Sequence, residues 1–514
     1  MLSIHDEGPW PPCPTPFNLA RHVLAASTAR LPDKAALIIL GAADGVWSYA
    51  RLMAAVRGCG TGLLRLGLAP GDRVLMRLGN GVAFPVLYLG AMAAGLVPVP
   101  TSAALTGPEV TRMAGLVSPR LIVVGPGVAL PDAPGVAVLE EAAVLEMAAL
   151  PPCDWHMGDA ARLGYVVFTS GTSGRAQAVG HAHRAVWARG MMHQGWEGLA
   201  EDDRLLHAGA LNWTYTLGTG LMDPWTLGAT ALIPAPGLPV AALGEALRAQ
   251  QATIFAAVPG VFRQMLRQGL PALPRLRHGL SAGEHLPVTL RAAWRAATGT
   301  DLHEALGMSE CSTFLSGSPK RPAPEGALGF VQPGRRVAVL DEAGNPVARA
   351  EPGVLAVDRR DPGLMLGYLG DPAATAARMQ GEWFITGDRV VMAADGAVSM
   401  LGRGDDLMNA GGFRVSPLEV EQAMAALPDL AEVAVCEVEV RPGVRVIGCA
   451  YVAAEAVAEA RLQAHADGCL ARWKQPRLWL RLDALPRSAN NKLNRRALAA
   501  LFAPTPAKAP KEGA

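Results

Sequence analysis

The residues whose types and spacing could do chemistry fall into short clusters of hydroxyls, glycines and carboxylates, with one well-placed lysine near the end of the chain. Thr169-Ser170-Gly171-Thr172-Ser173-Gly174 follows the apolar run Tyr165–Phe168 and precedes a helical pattern over about 183–191. Small residues let the backbone approach an anion, and their N–H and O–H groups can donate to phosphate oxygens. Such a run is often only a loop, but its place straight after a buried strand favours phosphate. Gly307-Met308-Ser309-Glu310 offers a hydroxyl beside a carboxylate. Hard oxygens of this kind suit Mg2+ held against phosphates, or else the pair caps a helix. In Trp383–Asp388 an acid stands just after an apolar run, where it could accept from sugar hydroxyls or sit in a solvated turn. In the basic run Pro486–Arg496, Lys492 lies between Asn490-Asn491 and Leu493 and is the cation able to turn inward.

Several other patterns fail in context. Gly279-Leu280-Ser281-Ala282-Gly283 matches G-x-S-x-G. A nucleophile elbow needs an apolar strand before the serine, whereas LPRLRHG precedes it here. His303-Glu304 begins H-E-x-x-H, but Gly307 takes the second histidine position. The phosphate-type loop lacks the lysine and spacing of G-x-x-x-x-G-K-[ST], and Gly58-Cys59-Gly60 lacks a third glycine at Leu63.

The elements that must hold these clusters are legible as alternation. Short apolar runs at 121–124, 165–168, 229–233 and 253–258 stand between helical stretches such as 238–249 and 288–297. That pattern predicts an α/β fold with layered, mostly parallel sheets, whose ligands lie beyond the C-terminal strand ends. After the polar, glycine-rich segment Gly402–Gly412, the texture becomes helix 417–425, strand 432–440, strand 444–452, helix 455–471. We expect a large N-terminal domain (1–402), a small mobile α+β C-terminal domain (403–503) beyond a hinge, and a disordered tail (504–514). A length of 514 residues needs more than one core. A net charge of +1 gives no footprint for nucleic acid. Seven scattered cysteines without a C-x-x-C pair suggest a reducing cytoplasm. Leu78–Pro108 carries no charge, but its prolines and glycines predict a buried helix (82–94) and strand (96–100) rather than a membrane span.

Taken in order, the clusters resemble those of the adenylate-forming superfamily of acyl- and aryl-CoA synthetases, over about Phe17 to Leu501. The likeness is greatest to benzoate–CoA ligases and medium-chain acyl-CoA synthetases, in residues 84–100, 213–229 and 402–421. The resemblance implies an ATP-dependent acid–CoA ligase that forms an acyl-adenylate and then a thioester, with ATP, Mg2+ and coenzyme A. By that resemblance Thr169, Ser170, Gly171, Thr172, Ser173 and Gly174 hold phosphate. Gly283, Glu284, Glu304, Ala305 and Leu306 flank the adenine, and Ser309 and Glu310 meet phosphate and metal. Asp388 and Arg403 hold the ribose, Asp405 is the hinge, and Lys492 is the catalytic lysine. Gly411 and Gly412 border the pantetheine arm, while Trp213, Tyr215, Val258, Pro259 and Gly260 line the pocket for an aryl or short-to-medium acid.

Three positions depart from the family pattern. Ala176-Gln177-Ala178 stands where the phosphate loop continues Pro-Lys-Gly, Asn409 where many relatives carry lysine, and Asn491 where glycine precedes the catalytic lysine. The missing loop lysine keeps a degenerate nucleotide-binding relative open, and a freestanding adenylation enzyme loading a carrier protein stands as a second alternative.

Overall fold

Apolar runs of four to seven residues are too short to make stable helices but suffice for buried strands, and the Ala/Leu/Arg stretches between them form the return helices. The computed structural model describes residues 1–8, 11–169, 176–404, 408–410, 413–441, 444–487 and 493–502. The chain divides into a large unit, Met1–Thr386 with Val391–Ser399, and a small unit, Gly387–Val390 with the chain from Met400 onward.

At the heart of the large unit is a nine-stranded sheet. Its parallel centre runs, in spatial order, Asp301–Met308, His278–Ala282, Ile254–Ala257, Arg204–His207, Thr230–Pro234, Ala35–Leu40. Antiparallel strands close both sides. A second, four-stranded sheet is parallel throughout, with Arg73–Arg77 between Val97–Pro100 and Leu121–Val124. A three-stranded antiparallel sheet joins Leu163–Thr169, Gln177–Ala182 and Gly367–Tyr368.

The uncharged stretch resolves as expected, into the fully buried helix Ala83–Ala93 and the buried strand Val97–Pro100. Among the described residues, no helix is long and apolar enough to cross a membrane. The helix expected over 238–249 opens as a 3-10 turn, Val240–Ala242, because Pro239 holds an extended backbone ahead of it, and becomes α-helical at Leu243. The helix expected from His183 starts at Ala185 and ends in a π-helical turn, His193–Glu197.

The small unit contains the antiparallel pair Glu432–Arg441 and Val444–Val452, with Leu478–Arg481 parallel to the latter. Helix Pro417–Ala425 begins as its residues dictate: Ser416 accepts from the Glu419 N–H, and Pro417 takes the first turn, where no amide is needed. Helix Glu459–Cys469 is shorter than expected, because Ala458 and Leu470 are extended on either side. Residues 504–514 lie outside the described residues.

Candidate active site

Neighbouring parallel strands deliver neighbouring loops. Ala257, Ala282 and Met308 end three adjacent parallel strands, and Val258-Pro259-Gly260, Gly283-Glu284 and Ser309-Glu310 follow them directly. The next strand over, Arg204–His207, leads to Trp213, which caps the short helix Thr214–Leu217. The structure therefore gathers these sequence-expected residues along one C-terminal sheet edge, where open parallel sheets bind ligands. Gly283 has a φ of 94°, a left-handed conformation that favours glycine. Val258 follows its strand and is buried, and Pro259 opens helix Pro259–Gln268 at the position where a missing N–H costs nothing.

An aromatic wall stands behind this edge. Tyr215 is buried and its hydroxyl donates to the Leu280 carbonyl at 3.0 Å. Trp213 meets it edge-on, with ring centroids 5.3 Å apart at 88°, and the His207 ring lies 4.3 Å away. His207 Nδ1 accepts from the Gly209 N–H at 3.0 Å, and burial lowers its pKa to about 3, so the ring is neutral.

The carboxylates divide sharply by partner. Glu304 is buried and spoken for: Arg291 donates to it at 2.6 Å and the Leu286 N–H at 2.9 Å. Beside it Ala305 is buried and Leu306 half-buried. Glu310 is also buried, but among the described residues its carboxylate accepts from the Tyr368 hydroxyl alone, at Oε1 and 2.7 Å. The Met365 N–H donates to the Glu310 carbonyl at 2.7 Å. Among the described residues no cation pairs with Glu310. A buried carboxylate without a counter-charge is costly, so this donor fits a hard metal ion.

Ser309 is fixed through its backbone: His181 Nε2 lies 2.7 Å from its carbonyl oxygen. A carbonyl can only accept, so Nε2 carries the hydrogen. Burial lowers the His181 pKa to about 4, and the ring stacks on Tyr165 at 4.9 Å. A small cavity adjoins Ser309, lined also by Tyr88, His181, Arg189, Thr214 and Ser312. Beneath it the buried Arg189 donates to Asp223 at 2.8 Å and holds that carboxyl below the usual range against the effect of burial. Burial, then the Asp223 charge, raises the nearby Glu197 carboxyl well above its ordinary value.

Thr169 ends its strand paired with Gln177, so this rung ties together the two ends of the expected phosphate loop. Ser170, Gly171, Thr172, Ser173 and Gly174 lie outside the described residues, as do Asp405, Gly411, Gly412 and Lys492. Beyond Lys492, Leu493 bridges to Arg487 and Asn494 caps helix Arg495–Leu501. In the small unit Arg403 pairs with Asp388 at 3.3 Å. Asp388 does not follow a strand, as its sequence context suggested. It lies inside Trp383–Met392, whose alternating burial carries on through Gly387-Asp388. The reading of Gly279–Gly283 also needs correction. A strand does reach Ser281, since His278–Ala282 is wholly buried despite the basic residues ahead of it. No elbow results, because the next helix starts only at Val288 and the serine side chain is buried.

Sequence reasoning missed Arg291, His181 and Tyr368. Arg291 lies on a helix whose basic residues look alike, and Tyr368 on a two-residue strand without periodicity. His181 left one trace: a polar side chain following the apolar run Ala178-Val179-Gly180.

The fold and this sheet edge define an adenylate-forming enzyme, an AMP-forming acid–thiol ligase. The chain belongs to the AMP-binding enzyme family, whose model matches residues 24–369, and the AMP-binding enzyme C-terminal domain matches residues 419–492. It is 31% identical to the benzoate–CoA ligase of Thauera aromatica, over 96% of this chain and 98% of the relative. It is 28% identical to a mitochondrial acyl-coenzyme A synthetase of Mus musculus, over 94% and 90%. Among solved structures, a benzoate CoA ligase from Burkholderia xenovorans superposes with a TM-score of 0.84 at 26% identity, covering 94% of this chain and 100% of that one. ATP-bound MatB from Rhodopseudomonas palustris also gives 0.84 at 26% identity, covering 95% and 99%.

Proposed function

We propose that this enzyme activates an aromatic carboxylic acid with ATP and transfers the acyl group to coenzyme A. The observation that carries the substrate class is the rigid aromatic wall of Trp213 and Tyr215 beside Val258 at the sheet edge. Its flat aromatic faces suit an aryl ring better than a long chain. The likeness to benzoate–CoA ligases supports the same choice.

In the first half-reaction a carboxylate oxygen forms a bond to the α-phosphorus of ATP while the bond to pyrophosphate breaks. Like charges meet, so the site must neutralise them. Glu310 and the phosphates would hold Mg2+, which when bound supplies that positive charge. Thr169 to Gly174 donate to phosphate oxygens, Ser309 adds a hydroxyl, and Lys492 meets the acid and the α-phosphate. The backbone at Gly283–Glu284 and Glu304–Leu306 flanks the adenine, and Asp388 with Arg403 holds the ribose. In the second half-reaction the CoA sulfur bonds to the acyl carbon and AMP leaves, with Gly411-Gly412 beside the pantetheine arm. A hinge at Asp405 lets a small domain starting near residue 403 present Lys492 first and the CoA-binding face second. Cysteines that stand as free thiols support a cytoplasmic setting.

The test is the product. With Mg·ATP and CoA, benzoate or a substituted benzoate should yield its CoA thioester by mass spectrometry, well ahead of octanoate and palmitate. Thioester from palmitate at equal rate would overturn the substrate class, and acyl transfer to a carrier protein but not to CoA would overturn the acceptor.

A further inference from the structure

One three-stranded sheet ties the expected phosphate loop to the expected metal ligand. Strand Gln177–Ala182 begins on the far side of the expected phosphate loop, paired with Leu163–Thr169, and carries His181, which holds the Ser309 carbonyl. Its neighbour Gly367–Tyr368 pairs with it through Tyr368 and Val179, and carries the hydroxyl that donates to Glu310 Oε1 at 2.7 Å. The next residues down the same segment hold the backbone: the Met365 N–H donates to the Glu310 carbonyl, and the Leu366 N–H to the Gly180 carbonyl at 2.8 Å. The Ser309–Glu310 turn is thus gripped at two carbonyls and one carboxylate oxygen, and all three grips come from this sheet or the residues leading into it. Tyr368 is buried, so its hydroxyl bond is not exchanged freely with water.

We propose that Tyr368 is a positioning residue for metal binding. By occupying Oε1 it fixes the Glu310 carboxylate and leaves Oε2 as the oxygen that would hold the Mg2+ of Mg·ATP, and the shared sheet couples that carboxylate to the strands Leu163–Thr169 and Gln177–Ala182. His181 does the same for the Ser309 backbone. This rests on the assignment of Glu310 as metal ligand above. A hydrogen bond to a charged group contributes a factor of about ten or more, so its loss should be visible in metal-dependent binding before any chemistry occurs.

The experiment is titration calorimetry of ATP with full-length protein, with Mg2+ and then with EDTA, for wild type, Tyr368→Phe, Glu310→Gln and the double variant, alongside thermal unfolding. Tyr368→Phe keeps the ring and should unfold like wild type. It should bind Mg·ATP about tenfold more weakly, with metal-free ATP affinity unchanged. In the double variant the tyrosine change should cost nothing beyond Glu310→Gln, because the two act through one oxygen pair. Mg·ATP affinity within twofold of wild type, an equal loss with and without metal, or additive losses would each overturn the proposal. If wild type itself bound ATP without regard to Mg2+, the metal assignment of Glu310 would fall, and this inference with it. Should Tyr368→Phe unfold early, His181→Phe, which keeps the stack on Tyr165, must show the same metal-selective loss for the sheet's role to stand.

Discussion

At the residue scale, the site is decided by which charges are already paired. Glu304 looks as promising as Glu310 in sequence, yet Arg291 and the Leu286 amide consume its carboxylate, while among the described residues Glu310 meets only a phenol. The first side chain is bound to structure and the second is available for chemistry. Gln177 is the complementary case. It stands where the family places a lysine and is half-buried at the loop's closing rung, opposite Thr169. A lysine there would add a charge-assisted contact to phosphate, about 1.5–3 kcal/mol. We therefore expect Gln177→Lys to raise kcat/KM for ATP by at least tenfold in steady-state assays of pyrophosphate release. An unchanged or lower value would mean that this position does not face the phosphates.

At the element scale, the hairpin that turns at Ser309-Glu310 depends on a glycine. Gly307 sits at the bulge where the register of Asp301–Met308 shifts against Ser312–Ser316. A Cβ there would lie 2.5 Å from the Ser312 carbonyl oxygen and 2.7 Å from the Thr313 Cα, both backbone atoms that cannot swing aside. Gly307→Ala should cost about 2–3 kcal/mol in urea unfolding and lower adenylation by more than tenfold. Wild-type rates in a stably folded variant would show that the turn tolerates displacement. Periodicity made the parallel strands and their C-terminal loops legible, because buried runs with loop residues after them have few other places to go. It could not reveal the Tyr368 and His181 grips, since these join segments 58 and 128 residues apart through single side chains. It also misplaced Asp388, because a glycine before an acid reads as a turn even where burial still alternates through it.

At the scale of the whole molecule, the large unit is built around histidines that must stay neutral. Burial lowers His181 to about 4, and His183, His207 and His303 to about 3. Below about pH 6.5 the unfolded chain's imidazoles take up protons that the folded ones refuse. The unfolded state then binds more protons, so stability is full above that pH and is lost as pH falls toward 4, on the order of 2 kcal/mol per ring by pH 4.5. His22, also lowered to about 4 by burial, adds to this, and Glu197, whose carboxyl burial raises well above its ordinary value, opposes it as a single group. The urea midpoint should therefore drop steeply between pH 7.5 and 4.5, and a flat midpoint would contradict the buried-neutral assignment. The central claim is that two half-reactions share this one sheet edge. The most direct test is pyrophosphate release with Mg·ATP and benzoate, with and without CoA. The account predicts a single-turnover burst without CoA and sustained turnover with it. Sustained release that ignores CoA, or none with any aryl acid, would contradict it.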